Sequence, residues 1–197
     1  MIGFITRRIL DEYMPKGLKQ SSSMISVSGR SVVTTDPAAE QFLSKRIDLQ
    51  LNPLDNEVFV VTGVKIDFTN PVIEFTGGVT GFTPMFQRCS LSTTEQLSYE
   101  GIAAPSVIAA TSIDATANIT TDPNFYFGLE QNAMDAPPAS MDYLHVIATN
   151  DFYVNLNVGG LYTAGQQAGI EFRVYGYRAV ADASTYAALV QSELLSA

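Results

Sequence analysis

The chain has 197 residues, of which 46% are hydrophobic and 16% charged, with one cysteine, one histidine and a formal net charge of −9 at pH 7. A chain of this size can bury about 70% of its unfolded surface, which excludes general disorder and favours one domain that folds without disulfides. The acidic balance argues against a nucleic-acid-binding surface over most of the chain. No window approaches 18 consecutive apolar residues and no secretory apolar run begins the chain, so we expect synthesis in a cytoplasm.

The first 45 residues predict an arm that lies outside the main core. Ile5, Ile9 and Tyr13 follow one another at the spacing of a helix face, and Pro15 with Gly17 ends the pattern. A short amphipathic helix is therefore expected. The Ser/Thr-rich stretch that follows, "KQSSSMISVSGRSVVTTDPAAE", is typical of a linker or a loosely paired strand.

The charges divide the chain at nearly the same place. Residues 1–46 contain seven basic and four acidic side chains, whereas the remainder contains four basic and sixteen acidic ones. This asymmetry suggests that the two segments meet different surroundings, although ordinary scatter among few charges explains it as well.

From residue 46 onward the sequence predicts an all-β sandwich. The clearest early strand, "VFVVTGVKIDF", would place on one buried face Val58, Val60, Val64, Ile66 and Phe68. "DFYVNLNV" alternates apolar and polar side chains from Phe152 onward, and "IEFRVYGYRAV" repeats the pattern. About eight short antiparallel strands without strand–helix alternation are typical of a sandwich or barrel. The predicted organisation is an arm over residues 1–45 and a sandwich with a terminal helix over residues 46–197.

A short helix is predicted at the C-terminus. The segment "DASTYAALVQSELL" offers Ser184 or Thr185 as an N-cap. Tyr186, Leu189 and Leu194 would form the apolar stripe of this helix.

The residues that catalysis most often requires are scarce. His145 is the one histidine and lies in the apolar run "DYLHVIAT", where a structural role is expected because a zinc site needs further ligands. Cys89 has no CxxC partner, and the chain contains no G-x-S-x-G, G-x-G-x-x-G or P-loop pattern. A Cys–His nucleophile pair is an alternative that the sequence leaves open. We predict that the chain is not an enzyme and holds no cofactor.

Carboxylates in loops form the one candidate type of binding site. They are Asp55, Glu57, Asp122, Asp135 and Asp151. Their oxygens are ligands that Ca²⁺ prefers, but no EF-hand spacing is present. Local hydrogen bonding in turns explains the same residues, so Ca²⁺ binding is the weaker of the two readings.

Three segments together resemble a known protein family. They are "SKRIDLQLNPLDNEVFVVTGVKIDF", "GIEFRVYGYRAV" and "STYAALVQSELL". Over residues 45–195 the pattern resembles small single jelly-roll capsid proteins of icosahedral viruses that infect bacteria or archaea. The resemblance is one of element order and carries no diagnostic motif.

The resemblance implies a fold, a location and partners. It implies an eight-stranded jelly roll that packs against copies of itself and other capsid proteins in a virion. The arm would lie between neighbours or face the inside, where a mildly basic amphipathic segment could touch the headgroups of an internal viral membrane. A net charge of +3 over residues 1–46 is weak for an arm that holds a genome, so direct nucleic-acid binding is not expected.

The predicted contacts between subunits are apolar side chains of the arm, the last strand and the terminal helix. They are Ile5, Ile9, Tyr13, Tyr175, Tyr177, Tyr186, Leu189 and Leu194. The alternative function is a non-enzymatic binding module, such as a spike or adhesin head that recognises a glycan or a receptor in a loop-end pocket. An enzyme on a jelly-roll scaffold is the weakest reading, because cupin-type sites usually need two or more histidines.

Overall fold

The computed structural model describes residues 17–36, 39–69, 81–119, 126–131, 142–160 and 164–195. These residues form ten strands: β1 (Leu18–Gln20), β2 (Ile25–Thr34), β3 (Gln41–Asp48), β4 (Glu57–Thr69), β5 (Gly81–Ser92), β6 (Val107–Ile119), β7 (Tyr126–Gln131), β8 (His145–Ile147), β9 (Asp151–Gly160) and β10 (Gln167–Ala181). A 3₁₀ turn at Pro53–Asp55 precedes β4, and one helix, α1 (Ala183–Leu195), follows β10.

The strands form two antiparallel sheets that pack as a sandwich. In the first sheet β10 pairs with β1 and β2 on one side and with β4 on the other, and β8 lies beyond β4. The second sheet has the order β3-β9-β5-β6-β7. The pairs β2·β10, β3·β9, β4·β8 and β5·β6 are nested along the chain, which is the strand pairing of a jelly roll. The predicted fold class is therefore confirmed.

The sandwich begins earlier in the chain than the sequence indicated. All ten residues of β2 pair with β10, and β1 pairs with the end of the same strand. Ile25, Val27 and Val33 pack against the core, so the apolar residues of the Ser-rich stretch alternate inward while its serines mostly face outward. β1, β2 and the first residues of β3 fall within the predicted arm and thus belong to the sheets. The predicted helix near residues 2–13 lies outside the described residues.

The core lies between the inner faces of the two sheets. Phe152, Val154 and Leu156 of β9 are fully buried there, as their alternation predicted. Phe152 meets Phe172 of the opposite sheet edge to face, with ring centroids 6.2 Å apart. Such a contact adds directional packing to the burial of both rings.

A β-bulge interrupts β4. Tyr175 of β10 pairs with Gly63, whereas the next residue, Gly176, pairs with Val61, so Thr62 is the extra residue. Gly176 is required there, because a Cβ on it would lie 2.6 Å from Cζ of Phe59. A bulge adds one residue to a strand and so reverses which face the following side chains occupy.

The bulge corrects the prediction that the apolar residues of β4 share one face. Val58 and Val60, before the bulge, lie on the outer face of the first sheet. Val64 and Ile66, after it, lie in the core between the sheets together with Phe59. The run "VFVV" is continuously apolar because both faces are buried at this point.

Helix α1 covers the outer face of the first sheet. Its Tyr186, Leu189 and Val190 pack on a second apolar cluster, which contains Val58, Val60, Val146, Ala148, Ala179 and Ala181. The N-cap is Asp182 and not the predicted Ser184 or Thr185, since Thr185 N donates to Asp182 Oδ1 at 2.8 Å. Hydrogen bonds from Thr185 and Ser184 lower the pKa of the Asp182 carboxyl. None of the helical residues described forms a segment long and apolar enough to cross a membrane.

Candidate functional site

Three loops meet at one end of the sandwich, which we call the loop end. They are residues 49–56 between β3 and β4, residues 93–106 between β5 and β6, and residues 148–150 between β8 and β9. Leu49 N donates to the Asn150 carbonyl oxygen (2.8 Å), and Leu51 N donates to Asn150 Oδ1 (2.5 Å). These bonds join the first and third loops into one surface.

Large aliphatic side chains are exposed at the loop end. Leu54 is 91% exposed, Leu97 95% and Ile102 56%, and Leu194 and Leu195 at the end of α1 are 67% and 79% exposed. We call these five residues the loop-end patch. Elsewhere in the described chain the exposed large apolar side chains are Met24, Tyr175 and Val180.

The sequence predicted only one residue of the loop-end patch, Leu194. Leu54, Leu97 and Ile102 were missed because they have no periodicity with their neighbours. The available signal was a single large aliphatic residue among turn formers, as in "NPLDN" and "TEQLSYEG".

The other predicted contact residues that the structure describes lie in different surroundings. Tyr186 and Leu189 are half-buried between α1 and its own sheet, and Tyr177 packs against the same cluster. Tyr175 is exposed on the outer face of the first sheet, beyond α1. The predicted contact residues Ile5, Ile9 and Tyr13 lie outside the described residues.

Glu193 fastens the last turn of α1 to the loop end. Glu193 is 5% exposed, and its carboxylate accepts hydrogen bonds from the backbone N–H groups of Ala148 (2.8 Å) and Thr149 (2.9 Å). Burial raises the pKa of the Glu193 carboxyl even though these bonds act to lower it. The two hydrogen bonds to this buried acid fix the position of the helix relative to the loop.

Glu193 and His145 line one small cavity of about 80 Å³. Burial lowers the pKa of His145, which favours the neutral imidazole. Thr93 and Pro105 form part of the same wall. The space is far smaller than a typical substrate pocket of about 300–1,000 Å³.

A larger groove of about 300 Å³, which we call the α1 groove, runs between the helix and the loop end. Tyr186 and Val190 form its helical wall, and Leu51 and Pro53 form the facing wall. The floor is completed by residues 148–151. Its walls are therefore mainly apolar, and its lining includes Asp151, whose carboxylate pairs with Arg46.

The carboxylates considered for Ca²⁺ do not converge in the described structure. Asp55 Oδ2 accepts from Asn52 Nδ2 (2.6 Å) and is exposed. Glu57 accepts from Asn52 N (3.0 Å) and lies near Arg178 (3.5 Å), and Asp151 pairs with Arg46; Asp122 and Asp135 lie outside the described residues. Within the described ranges no group of three or more His, Cys, Asp or Glu side chains could hold a metal ion.

Cys89 lies in the core between the sheets and is fully buried. Burial raises the pKa of its thiol, so the nucleophilic thiolate is disfavoured at neutral pH. His145 lies outside that core cluster, beside α1. The geometry therefore gives no support to the Cys–His pair.

A charged groove of about 480 Å³ lies on the outer face of the first sheet, beyond α1. It is lined by Arg30, Lys65, Asp67, Glu171 and Arg173, together with Tyr175 and neighbouring residues of β2 and β10. Lys65 and Asp67 form an exposed ion pair (2.8 Å), and such pairs contribute about 0–1 kcal/mol to stability.

The second sheet has a buried polar layer on its outer face, beneath residues 93–106. Asn155 Nδ2 donates to Ser92 Oγ (2.8 Å), and Ser90 Oγ donates to Gln96 Oε1 (3.1 Å). Among the described residues, Asn155 Oδ1, Gln96 Nε2 and Ser44 Oγ are buried without a hydrogen-bond partner. Atoms of this kind are the usual positions of ordered water.

Comparison with known proteins adds no identity to this geometry. No protein-family model matches the chain, and no curated protein sequence matches it significantly.

Proposed function

We propose that the protein is a structural subunit that assembles with copies of itself into a closed shell, as an icosahedral capsid protein does. The loop-end patch is the observation that carries this proposal. Its five large aliphatic side chains are 56–95% exposed at one end of the domain. Large apolar groups exposed at one end of a domain favour a protein–protein contact there, because water around them is released when a partner covers them.

The fold supports the same proposal. The jelly-roll pairing agrees with what the resemblance to capsid proteins implies, although a fold by itself does not assign a function. Under this proposal the role of the protein is not enzymatic.

Under this proposal the protein is made in a host cytoplasm and resides in the virion. Its partners are further copies of the chain and other capsid proteins. Contact of the N-terminal arm with an internal viral membrane is part of the proposal, and sedimentation with lipid vesicles tests it. Direct nucleic-acid binding is not part of it, because the chain carries a net charge of −9.

One observation favours a second candidate, a binding module that recognises a glycan or receptor. The charged groove has a volume of about 480 Å³ and contains an exposed tyrosine, Tyr175, among charged side chains. Both its size and its polar groups fit a small-ligand site. If the protein does not assemble, the next experiment is to titrate it with glycans and with Ca²⁺ and to measure binding in this groove.

The test is the size distribution of the purified full-length protein, measured by light scattering and negative-stain microscopy. Wild type should form regular capsomers or shells. Leu97→Lys and Ile102→Lys should each lower the assembled fraction about tenfold at equal protein concentration, because a buried lysine charge opposes contact. Met24→Lys is the matched control, since Met24 is 57% and Ile102 56% exposed, and it should assemble like wild type.

Circular dichroism of each variant verifies the fold before sizing. A wild-type protein that stays monomeric at all concentrations would refute the shell proposal. Equal loss of assembly in Met24→Lys and Ile102→Lys would remove the loop-end patch as the contact.

A further inference from the structure

The described chain begins beside the first turn of α1. β1 runs antiparallel to β10, so its first residues lie at the loop end, where β10 finishes. Asp182 N donates to the Gly17 carbonyl oxygen (2.9 Å), and a Cβ on Gly17 would lie 2.6 Å from Asp182 Oδ2. Gly17 has a φ of +87°, a turn conformation that glycine adopts readily. Residues 1–16 are therefore tethered at the N-terminus of α1.

The tether point adjoins the α1 groove. Gly17 lies against Thr185, and the next residue of the helix, Tyr186, forms the beginning of the groove wall. Val190 continues that wall one turn further, about 6 Å along the axis. A helical segment of twelve residues spans about 18 Å, so attachment at Gly17 does not prevent such a segment from reaching along the α1 groove.

The residues tethered there complement the groove in two ways. Ile5, Ile9 and Tyr13 follow one another at helical spacing, which suits a groove whose walls are Leu51, Pro53, Tyr186 and Val190. Arg7 and Arg8 are basic, and the exposed carboxylate of Asp55 lies on the same loop as Leu51 and Pro53, two residues from the groove wall. Opposite charges at a rim orient a docked segment.

We propose that the α1 groove is the docking site of residues 1–16 of the same chain. A short tether holds the segment at an effective concentration of about 1 mM, above that of a second copy at micromolar concentration. The proposal concerns the unassembled subunit and does not rest on the shell proposal. In an assembled shell the same segment could exchange into a neighbour's groove, as in domain swapping.

Disulfide trapping in the full-length protein tests the docking. Val190→Cys is combined in turn with Ile5→Cys, Ile9→Cys and Tyr13→Cys, because a bridge needs Cα atoms within about 7 Å and one of the three positions should meet this. The native Cys89 is buried and serves as an unreactive background. The control replaces Val190→Cys by Lys65→Cys, since Lys65 lies in the charged groove away from α1.

Oxidation at micromolar concentration should give an internally linked monomer for at least one Val190 pair and for no Lys65 pair, as mapped by mass spectrometry. A linked dimer would overturn docking within the chain, and absence of any link would overturn docking in the groove. As a second measurement, Ile5→Asp with Ile9→Asp should increase hydrogen exchange of residues 49–56 and 183–195. Unchanged exchange in that variant would also contradict the proposal. None of these outcomes bears on shell assembly, which the sizing experiment decides separately.

Discussion

At the scale of single residues, burial decides which ionisable groups are chemically available. Cys89 and His145 are the two residues from which the sequence could have built a nucleophile and base. Burial raises the pKa of the Cys89 thiol and lowers that of His145, because a poorly solvated site disfavours the charged form of either group. Burial also raises the pKa of the Glu193 carboxyl, but this group has a structural role because it accepts hydrogen bonds from two backbone N–H groups.

Glu193 makes the stability of the fold depend on pH. Because its pKa is raised from the ordinary value of 4.5, the native state holds the proton more tightly than the unfolded state. The contribution of Glu193 to the free energy of unfolding is therefore full below the ordinary pKa, and it is lost as pH rises through the raised pKa. We expect the free energy of unfolding of wild type, relative to Glu193→Gln, to fall as pH rises from the ordinary pKa of 4.5 through the raised pKa.

Urea unfolding of both proteins across that range measures the difference. A glutamine does not titrate, so all other carboxylates cancel in the comparison. A difference that rises with pH would show that the two N–H bonds to the ionised carboxylate outweigh its desolvation.

At the scale of secondary-structure elements, α1 is a third layer of the sandwich. It buries the outward-facing valines of β4 and the alanines of β10, and Asp182 and Glu193 hold its two ends. Tyr186 and Leu189, which were predicted as contacts between subunits, take part in this internal packing. Leu194 points away and is 67% exposed.

Two leucines of α1 should therefore differ in their effect on stability. Leu189→Ala should lower the free energy of unfolding by about 1–2 kcal/mol, less than the roughly 2–5 kcal/mol of a fully buried leucine, because Leu189 is half-buried. Leu194→Ala should change it by less than about 0.5 kcal/mol. Urea denaturation at low protein concentration measures both, and equal losses would contradict docking of α1 on the sheet.

At the scale of the whole molecule, the nested pairing makes the N-terminal strands part of the closed fold. β2 covers one side of β10 over ten residues, and Ile25 and Val27 pack on the core near that strand. Without β2 the side of β10 that faces away from β4 would be an unpaired apolar edge, which promotes aggregation.

Two truncations separate the arm from the sandwich. A chain that starts at residue 17 should keep a cooperative urea transition and near-ultraviolet circular dichroism. A chain that starts at residue 41 lacks β1 and β2 and should lose both signals or aggregate. Native-like unfolding of the shorter chain would show that β2 is dispensable, as an arm would be.

The elements that could be predicted are those whose signal is local. β9 alternates apolar and polar side chains from Phe152 to Val158, and β10 does so up to Gly176. Side chains at i and i+2 share a face in any strand, so such a pattern predicts a strand with one apolar face before its partners are known. In β9 the polar face is buried as well, since Asn155 and Asn157 are 0% and 4% exposed. The all-β class and the terminal helix followed from the same kind of signal.

The candidate site was less predictable, because its residues meet only through long-range pairing. Glu193 contacts Ala148, 45 positions away, and Leu97 has no patterned neighbour to reveal its exposure. The α1 groove needs two loops and the helix together. No local pattern in any one of these segments indicates the other two.

The sequence alone determined that this chain is an all-β sandwich with a terminal helix, because strand and helix periodicity are properties of neighbouring residues. The tertiary structure decided which face each strand buries and where the sandwich begins. The bulge at Thr62 reverses the faces of β4, and β2 becomes a strand because β10, more than 130 positions later, supplies its hydrogen-bond partners. The packing and hydrogen-bond energies that decide these features arise between distant segments, and they exist only once the chain has folded.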